Sequence, residues 1–236
     1  MDLSWAEWYR RAGVLRSPLY GSGVSEDWIR ALRHDYESEP FGMGDAHPEP
    51  MTQFGRWFEE AVSAELDEPN AMVLSTAGPD GKPDARAVLM KSFDASGFVF
   101  FSNYGSKKAV DMEHNRWVSL LFVWIPIHRQ VRIQGWVERI PAEQSDDYFS
   151  TRPLGARIGA VASPQSKEIP SREWLHERFE EVSAGADESL ARPTDWGGYQ
   201  VEPAVVEFWQ GRPNRLHDRI RYTRTDRGWV RVRLAP

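Results

Sequence analysis

Five short runs of β-favouring residues follow one another between residues 71 and 140, and each run is bounded by turn residues. Two of the connections, Gly78-Pro79-Asp80-Gly81 and Asp94-Ala95-Ser96-Gly97, have the composition of tight turns. Short antiparallel strands joined by tight turns are typical of a β-barrel or a β-sandwich. The predicted strands cover 71–77, 85–91, 98–102, 118–124 and 130–140.

Helical periodicity flanks this block of strands. Phe54, Trp57, Phe58 and Ala61 recur at helical spacing, so the sequence predicts an amphipathic helix over 51–66. The predicted fold is mainly β with flanking helices: a barrel closed by strands from both ends of the chain, with the helices packed outside. Further helices are predicted over 142–152 and 171–184, and strands return at 199–208, 219–224 and 229–234.

The first 30 residues have the character of an appended arm, and one domain is expected over 31–236. Two short helical stretches, around Trp5–Trp8 and Trp28–Leu32, are separated by the breaker Gly21-Ser22-Gly23. The arm carries no recognisable chemistry, so we expect the function to reside in residues 31–236.

Composition removes several classes of protein. The chain has no cysteine, which excludes disulfides, a thiolate nucleophile and Cys-ligated zinc, and no metal site is expected. The N-terminal sequence lacks a signal-like apolar segment, and the longest apolar run, near 120–127, is too short to span a membrane. We therefore expect a cytoplasmic protein without a membrane partner. The 35 acidic and 29 basic residues give a net charge of -6, which argues against general nucleic-acid binding but allows one small anionic ligand.

Common nucleotide, zinc-protease and serine-hydrolase motifs are absent from the sequence, and the remaining chemical signals favour an anion. After Asn103 a strand turns into a predicted helix that Ser106 can cap, while Lys107 and Lys108 add positive charge. A capped helix start with two cations suits a phosphate. A surface helix with solvated lysines is the alternative.

A second signal is the strand from Arg86 to Lys91, which is apolar on both faces and is therefore predicted to be central. Strand parity places its two cations on opposite faces, so they serve different groups unless the strand bends. Cations that simply reach solvent from the strand ends are the alternative.

Further cations gather near the C-terminus, where residues 212–233 contain eight Arg and two Asp. Period 2 predicts that Arg215, His217 and Arg219 share one side of a strand, which is costly without an anion. Tyr148 and Arg152, spaced i, i+4, share one helix face and can hold a phosphate. A solvated edge hairpin and a plain surface pair are the respective alternatives.

These residues carry a resemblance to the pyridoxine/pyridoxamine 5′-phosphate oxidase family, which extends from about residue 31 to the C-terminus. The most specific segments are Glu207-Phe208-Trp209-Gln210-Gly211, Arg215-Leu216-His217-Asp218-Arg219 and Arg233-Leu234-Ala235-Pro236. Supporting segments are Glu68-Pro69-Asn70-Ala71-Met72, Arg129-Gln130-Val131, Ser163-Pro164-Gln165-Ser166 and Trp196-Gly197-Gly198-Tyr199.

The resemblance implies a split β-barrel that binds FMN and a homodimer with two flavins at the subunit interface. It implies Arg215 and His217 as the catalytic pair that holds the substrate ring over the flavin, with Arg33 and Tyr36 as a lid. Implied FMN-binding residues are Arg86, Ala87, Val88, Leu89, Met90, Lys91, Phe101, Ser102, Lys107, Lys108, Gln130, Gln165, Ser166, Trp196 and Arg219. Implied substrate-binding residues are Arg33, Tyr36, Lys91, Tyr148, Arg152, Ala156, Arg215, Leu216 and His217.

The implied reaction is oxidation of pyridoxamine or pyridoxine 5′-phosphate to pyridoxal 5′-phosphate by O2, with release of H2O2. The chain departs from the family pattern at Phe101-Ser102, at Lys107, and at Ala156, where the family has a phosphate-binding serine. Leu154 and Val161 also replace more polar or larger family residues. Two alternatives are therefore kept: a paralogous FMN oxidase that acts on another reduced ring of the phenazine type, and a flavin- or pyridoxal-phosphate-binding module without turnover.

Overall fold

Each β-type run of the sequence is a strand in the computed structural model, which describes residues 30–32 and 35–236. The predicted helices around Trp5–Trp8 and, for the most part, Trp28–Leu32 lie outside the described residues, and the boundary after residue 30 stays a prediction. The helices are α1 (Pro50–Ser63), α2 (Lys107–His114), α3 (Ala142–Thr151), α4 (Leu154–Ala162) and α5 (Arg172–Ser183). The strands are β1 (Ala71–Ala77), β2 (Pro83–Leu89), β3 (Ser92–Asp94), β4 (Gly97–Asn103), β5 (Trp117–Trp124), β6 (Arg129–Arg139), β7 (Trp196–Gln210), β8 (Asp218–Thr225) and β9 (Gly228–Arg233).

All nine of these strands belong to one antiparallel sheet with the order β2-β1-β5-β6-β7-β4-β3, and β8 and β9 continue from β7. The sheet curls, so that the segment after β2 meets β4. There the Lys91 backbone N–H donates to the Val99 carbonyl at 2.8 Å. The predicted split β-barrel with flanking helices is confirmed.

Strand β7 organises the barrel because it pairs with three other strands. Its first half pairs with β4, its second half with β8, and β6 runs along nearly its whole length. The β6 and β7 ladder shifts register between Gln134 and Gly135. A side chain at Gly135 would meet the Glu202 carbonyl oxygen at 2.1 Å, so only glycine permits this close approach.

The barrel core is aromatic and is completed by α1. Phe54 of this helix is fully buried, and its ring lies 4.8 Å from Phe98 and 4.9 Å from Phe122. Trp57 packs edge-on against Phe208 with 5.2 Å between centroids. The apolar face of α1 therefore joins side chains of the strands in one core, so this flanking helix is an integral part of the barrel's packing.

Three local predictions differ from the structure. Strand β2 is an edge strand of the sheet, not a central one, and its apolar residues are exposed or half-buried. Helix α4 and the short strand β3 are not predicted from the sequence, because Pro153 ends one helical pattern and β3 has only three residues. Pro153 in fact occupies the N-cap position of α4.

Among the described residues, no helix is both long and apolar enough to cross a bilayer. The same part of the chain contains no group of three or more side chains placed to hold a metal ion. The cytoplasmic location stays a prediction.

Candidate functional site

A cavity of about 790 Å³ opens between β2, β4 and the helices α2, α3 and α4. We call it the cationic pocket. Five of its lining side chains are lysine or arginine, while Asp84 is the only acidic residue among the described residues that line it. The lining residues are Asp84, Ala85, Arg86, Ala87, Val88, Leu89, Lys91, Phe101, Ser102, Lys107, Lys108, Tyr148, Arg152, Pro153, Ala156, Gln165, Ser166 and Trp196.

Lys108 is the most constrained cation of the pocket. It is 8% exposed, and its ammonium group donates to Ser102 Oγ at 3.1 Å, Ser106 Oγ at 3.2 Å and Gln165 Oε1 at 3.0 Å. All three acceptors are neutral. Burial is the main cause that lowers the pKa of Lys108, and the charge of Arg86 is a smaller one. A buried ammonium without a carboxylate partner is costly, so this geometry favours binding of an external anion.

Arg86 and Lys107 flank Lys108 and are tied to carboxylates. Arg86 donates to Thr76 Oγ1 at 2.8 Å and pairs with Asp84 at 2.6 Å. Lys107 donates to both carboxylate oxygens of buried Asp111 at 2.8 Å, and this hydrogen bonding raises the pKa of Lys107. Burial opposes ionisation of Asp111, but hydrogen bonds from Lys107 and Thr76 prevail and lower its pKa. Lys107 and Lys108 therefore lie at the N-terminal end of α2 with Arg86 of β2 near them. Asp84 pairs with Arg86, and Asp111 pairs with Lys107.

The opposite wall of the pocket is aromatic. The rings of Phe101 and Tyr148 stack with centroids 3.9 Å apart, and Trp196 stacks on Phe101 at 5.3 Å. The Arg152 guanidinium lies 4.7 Å above the Trp196 ring, and its buried Nη1 has no hydrogen-bond partner in the described residues. Burial lowers the pKa of Arg152. The wall offers flat rings and one more cation with unused donor capacity.

The structure brings together most of the residues that the sequence assigned to this site. Tyr148 and Arg152 both line the pocket, but they do not share a helix face as predicted, because α3 ends at Thr151 and Arg152 is its C-cap residue with extended backbone. Arg86 and Lys91 both line the pocket, because β2 ends at Leu89 and strand parity does not extend to Lys91. Met90, in contrast, is buried in the barrel core. Ser106 is the N-cap residue of α2, but its hydroxyl makes no capping hydrogen bond.

Other predicted residues gather in a second place on the chain, at the C-terminal end of β7. The His217 ring lies 4.6 Å from Trp209 and 5.6 Å from Tyr36, and its Nδ1 accepts from the Arg212 backbone N–H at 3.1 Å. Burial is the main cause that lowers the pKa of His217, and the charge of Arg215 is a smaller one. A neutral His217 that accepts at Nδ1 carries its proton on Nε2 and can donate it to a ligand. We call Tyr36, Trp209, Arg215 and His217 the His217 cluster; Arg33, the other predicted lid residue, lies outside the described residues.

The prediction that Arg215, His217 and Arg219 share one strand face is wrong. Arg215 ends a 3-10 turn, Pro213–Arg215, with a φ of 61°, and only Arg219 belongs to a strand. Arg219 donates from Nε to buried Glu207 at 2.9 Å and from Nη1 to the Ala235 carbonyl at 2.8 Å. Gln130 lies on β6 opposite Trp209. None of Gln130, Arg215, Leu216, His217 or Arg219 lines the cationic pocket of the same chain.

Three carboxylates around these sites were missed from the sequence. Asp84 and Asp111 pair with the cations of the pocket, and Glu207 pairs with Arg219 and, at 2.6 Å, with Arg132. Asp111 lies four residues after Lys107, a spacing that predicts an ion pair on a helix. The position of Glu207 opposite Arg132 depends on strand register, which no local pattern reveals.

Known proteins resemble this chain along most of its length. The family profile described as pyridoxamine 5′-phosphate oxidase matches residues 58–184, and the profile of the pyridoxine 5′-phosphate oxidase C-terminal dimerisation region matches residues 196–236. A pyridoxine/pyridoxamine 5′-phosphate oxidase of Salinibacter ruber is 51% identical over 87% of this chain and 97% of its own length. The enzyme of the same name from Rubrobacter xylanophilus is 52% identical over 88% of this chain and 96% of its own length.

A solved structure gives the same fold. PhzG from Burkholderia lata, in complex with tetrahydrophenazine-1-carboxylic acid, superposes with a TM-score of 0.79 at 31% identity and covers 84% of this chain and 99% of its own. The two profiles and the relatives near 50% identity point to one family. The chain belongs to the pyridoxamine 5′-phosphate oxidase family.

Proposed function

We propose that this protein is an FMN-dependent oxidase that converts pyridoxamine or pyridoxine 5′-phosphate to pyridoxal 5′-phosphate. The observation that carries the proposal is Lys108, a buried ammonium with only neutral partners at one end of a pocket walled by aromatic rings. A flavin mononucleotide has both a phosphate and a flat ring system, so it satisfies both ends of this pocket. The names and identity levels of the relatives support the same activity.

Different residues of the pocket fit the phosphate and the ring system of FMN. Arg86 and Lys108 would bind its phosphate, with Lys107 adding charge from the same end of α2. Ser102 and Gln165 hydrogen-bond to each other at 3.0 Å and to Lys108, so they fix the direction of its ammonium group. The backbone of β2 from Ala87 to Leu89 would border the ring system, because this edge strand lines the pocket.

A second anion position on the pocket suits the substrate phosphate. Lys91, Tyr148 and Arg152 line the same cavity, and the unpartnered Nη1 of Arg152 is available for a charge-assisted hydrogen bond. Stacking on Trp196 holds the guanidinium plane in place. Two phosphates, one on the cofactor and one on the substrate, account for the number of cations in this pocket.

The substrate ring needs a second group of residues, which we propose comes from another copy of the chain. The His217 cluster carries the donors expected above the flavin, yet it does not line the pocket of its own chain. A homodimer that joins the cluster of one subunit to the pocket of its partner would complete the site. The match of residues 196–236 to a dimerisation region supports this arrangement.

When bound, FMN supplies the hydride acceptor for oxidation of the substrate's amine- or alcohol-bearing carbon. The protein's part is to orient the substrate and to polarise its reacting substituent. Arg215 and the Nε2 proton of His217 would hold the substrate ring and its reacting substituent, and Tyr36 beside His217 would cover them. Molecular oxygen is the proposed final electron acceptor and leaves as hydrogen peroxide.

An oxidase assay tests the proposed function directly. The purified protein should be yellow, and the addition of pyridoxamine 5′-phosphate in air should release hydrogen peroxide in proportion to the pyridoxal 5′-phosphate formed. A yellow protein that releases no peroxide with either phosphorylated vitamer but oxidises a reduced phenazine would establish the paralogue. Bound flavin without turnover of any of these compounds would establish a binding module.

One observation favours the paralogue as second candidate. Ala156 lines the pocket, as Arg152 does, where a hydroxyl is expected for the substrate phosphate, while Leu154 and Val161 of the same helix α4 do not line it. The PhzG structure shows that this fold can hold a tricyclic carboxylic acid, a ligand without a phosphate. The cations Lys91 and Arg152 and the higher identity to the pyridoxine/pyridoxamine 5′-phosphate oxidases favour the first proposal.

Ala156→Ser is expected to tighten pyridoxamine 5′-phosphate binding several-fold and to leave FMN binding nearly unchanged. A hydrogen bond to a charged oxygen contributes about 1.5–3 kcal/mol, or roughly ten- to a hundredfold in affinity, and a water molecule in the alanine enzyme would reduce the gain. The Michaelis constant and the dissociation constant of both variants measure the effect. If serine weakens binding, the rim is shaped for a different substrate.

A further inference from the structure

Asp84 occupies an unexpected place in the cationic pocket. Its carboxylate lies 2.6 Å from Arg86 Nη2 and 3.8 Å from Lys107 Nζ, and the residue lines the cavity. An anion that bridges two cations of a phosphate site has the position that a phosphate oxygen would take. Asp84 therefore acts toward these cations as an anion that is already attached to the chain.

Arg86 does not need Asp84 to hold its position. Its Nη1 donates to Thr76 Oγ1 at 2.8 Å and to the Leu74 carbonyl at 3.2 Å, so neighbouring strand β1 fixes one edge of the guanidinium. Thr76 is itself held, because it donates to buried Asp111 at 2.9 Å. Asp84 engages the other edge, which is the edge left for a ligand.

The carboxylate of Asp84 is free to leave. Its side chain is 43% exposed, and it lies on β2, an edge strand with solvent beside it. Apart from the two cations, its described hydrogen bond is to the backbone N–H of the next residue, Ala85, at 2.8 Å. Release therefore breaks only the described contacts with Arg86, Lys107 and the Ala85 backbone.

We propose that Asp84 is an affinity-determining residue: an internal counter-ion that occupies the cofactor phosphate site and competes with the incoming phosphate for Arg86 and Lys107. The inference rests on the proposed function, since it takes the flavin phosphate as the anion of this site. FMN binding then requires the Asp84 carboxylate to turn toward solvent, and its remaining charge repels the phosphate. The chain thus binds FMN less tightly than its cations alone would allow.

The test compares FMN with riboflavin, which has the same ring system and no phosphate. Quenching of flavin fluorescence gives the dissociation constant of each for the apoprotein. Asp84→Asn should tighten FMN binding about tenfold, because it removes a charge a few ångströms from a dianion in a partly screened site. Riboflavin binding should change by less than about twofold, since no charge interaction is altered for it. Asp84→Glu, which keeps the carboxylate, should retain the weaker FMN binding.

Asp94→Asn is the matched control, because Asp94 is an exposed aspartate of the adjacent β3 that does not line the pocket. It should leave both dissociation constants unchanged. Unchanged or weaker FMN binding in Asp84→Asn would overturn the inference, as would an equal gain for FMN and riboflavin. If the unaltered protein binds FMN no better than riboflavin, the phosphate site itself is absent, and the proposed function falls together with the inference.

Discussion

Purified Lys108→Ala protein is expected to be nearly colourless, with FMN affinity reduced at least about a hundredfold. Lys108 is a buried cation whose acceptors among the described residues are all neutral, so a bound phosphate would offset the cost of its burial. Charge-assisted hydrogen bonds at such a site contribute about 1.5–3 kcal/mol each, and the loss of the charge itself adds to this. Arg86→Ala should have the same effect, because the guanidinium edge that Asp84 engages faces the same position.

The visible absorbance of the flavin, relative to the absorbance of the protein, measures flavin occupancy after purification. Lys82→Ala is the control, since Lys82 is an exposed lysine of the β1–β2 turn that pairs with Asp80. Full flavin occupancy in both Lys108→Ala and Arg86→Ala would remove the cofactor assignment.

Arg215→Ala is expected to keep its flavin and to slow flavin reduction by pyridoxamine 5′-phosphate by about a hundredfold or more. Loss of a group that positions the reacting ring raises the barrier by several kcal/mol without touching the cofactor phosphate site. Stopped-flow measurement of flavin absorbance without oxygen isolates this step. Arg215→Lys should restore part of the rate, because it returns the charge without the planar guanidinium.

His217→Ala provides the companion result for the same cluster. Turnover should fall, while the melting temperature should stay nearly unchanged, because His217 packs at the surface of the barrel and outside its core. A normal reduction rate in Arg215→Ala would remove that residue from the catalytic role. A large loss of melting temperature with normal turnover in His217→Ala would assign that residue a structural role instead.

The strands were predictable because one face of each is core and the other is not. β1 alternates buried and half-buried residues along its length, and such alternation is visible in sequence. β2 was wrongly predicted to be a central strand because Val88 and Leu89 are apolar, whereas both residues border the pocket at a sheet edge. The triple pairing of β7 was not predictable, since register between distant strands depends on contacts that no local pattern specifies.

The site was predictable where its residues are close in sequence. Tyr148 and Arg152 line one cavity, although α3 ends at Thr151 and Arg152 follows it with extended backbone. Arg215 was misplaced because Asn214 and Arg215 adopt left-handed φ values of 56° and 61°, which end the regular alternation of a strand. The Lys107–Asp111 pair follows from i, i+4 spacing on a helix, whereas the pairing of Glu207 with Arg132 depends on strand register, which no local pattern specifies.

The length of β7 has a consequence for mixtures of chains that carry inactivating substitutions at different ends of this strand. Trp196 at its beginning belongs to the cationic pocket, and Trp209 near its end belongs to the His217 cluster. These ends lie about 40 Å apart along a strand of this length, so each chain of the proposed homodimer contributes to two separate sites. A chain lacking Lys108 and a chain lacking Arg215 are each expected to be nearly inactive alone, yet a mixed dimer of the proposed arrangement would contain one site with both residues intact. Such defects complement one another, whereas two defects at the same end of β7 do not.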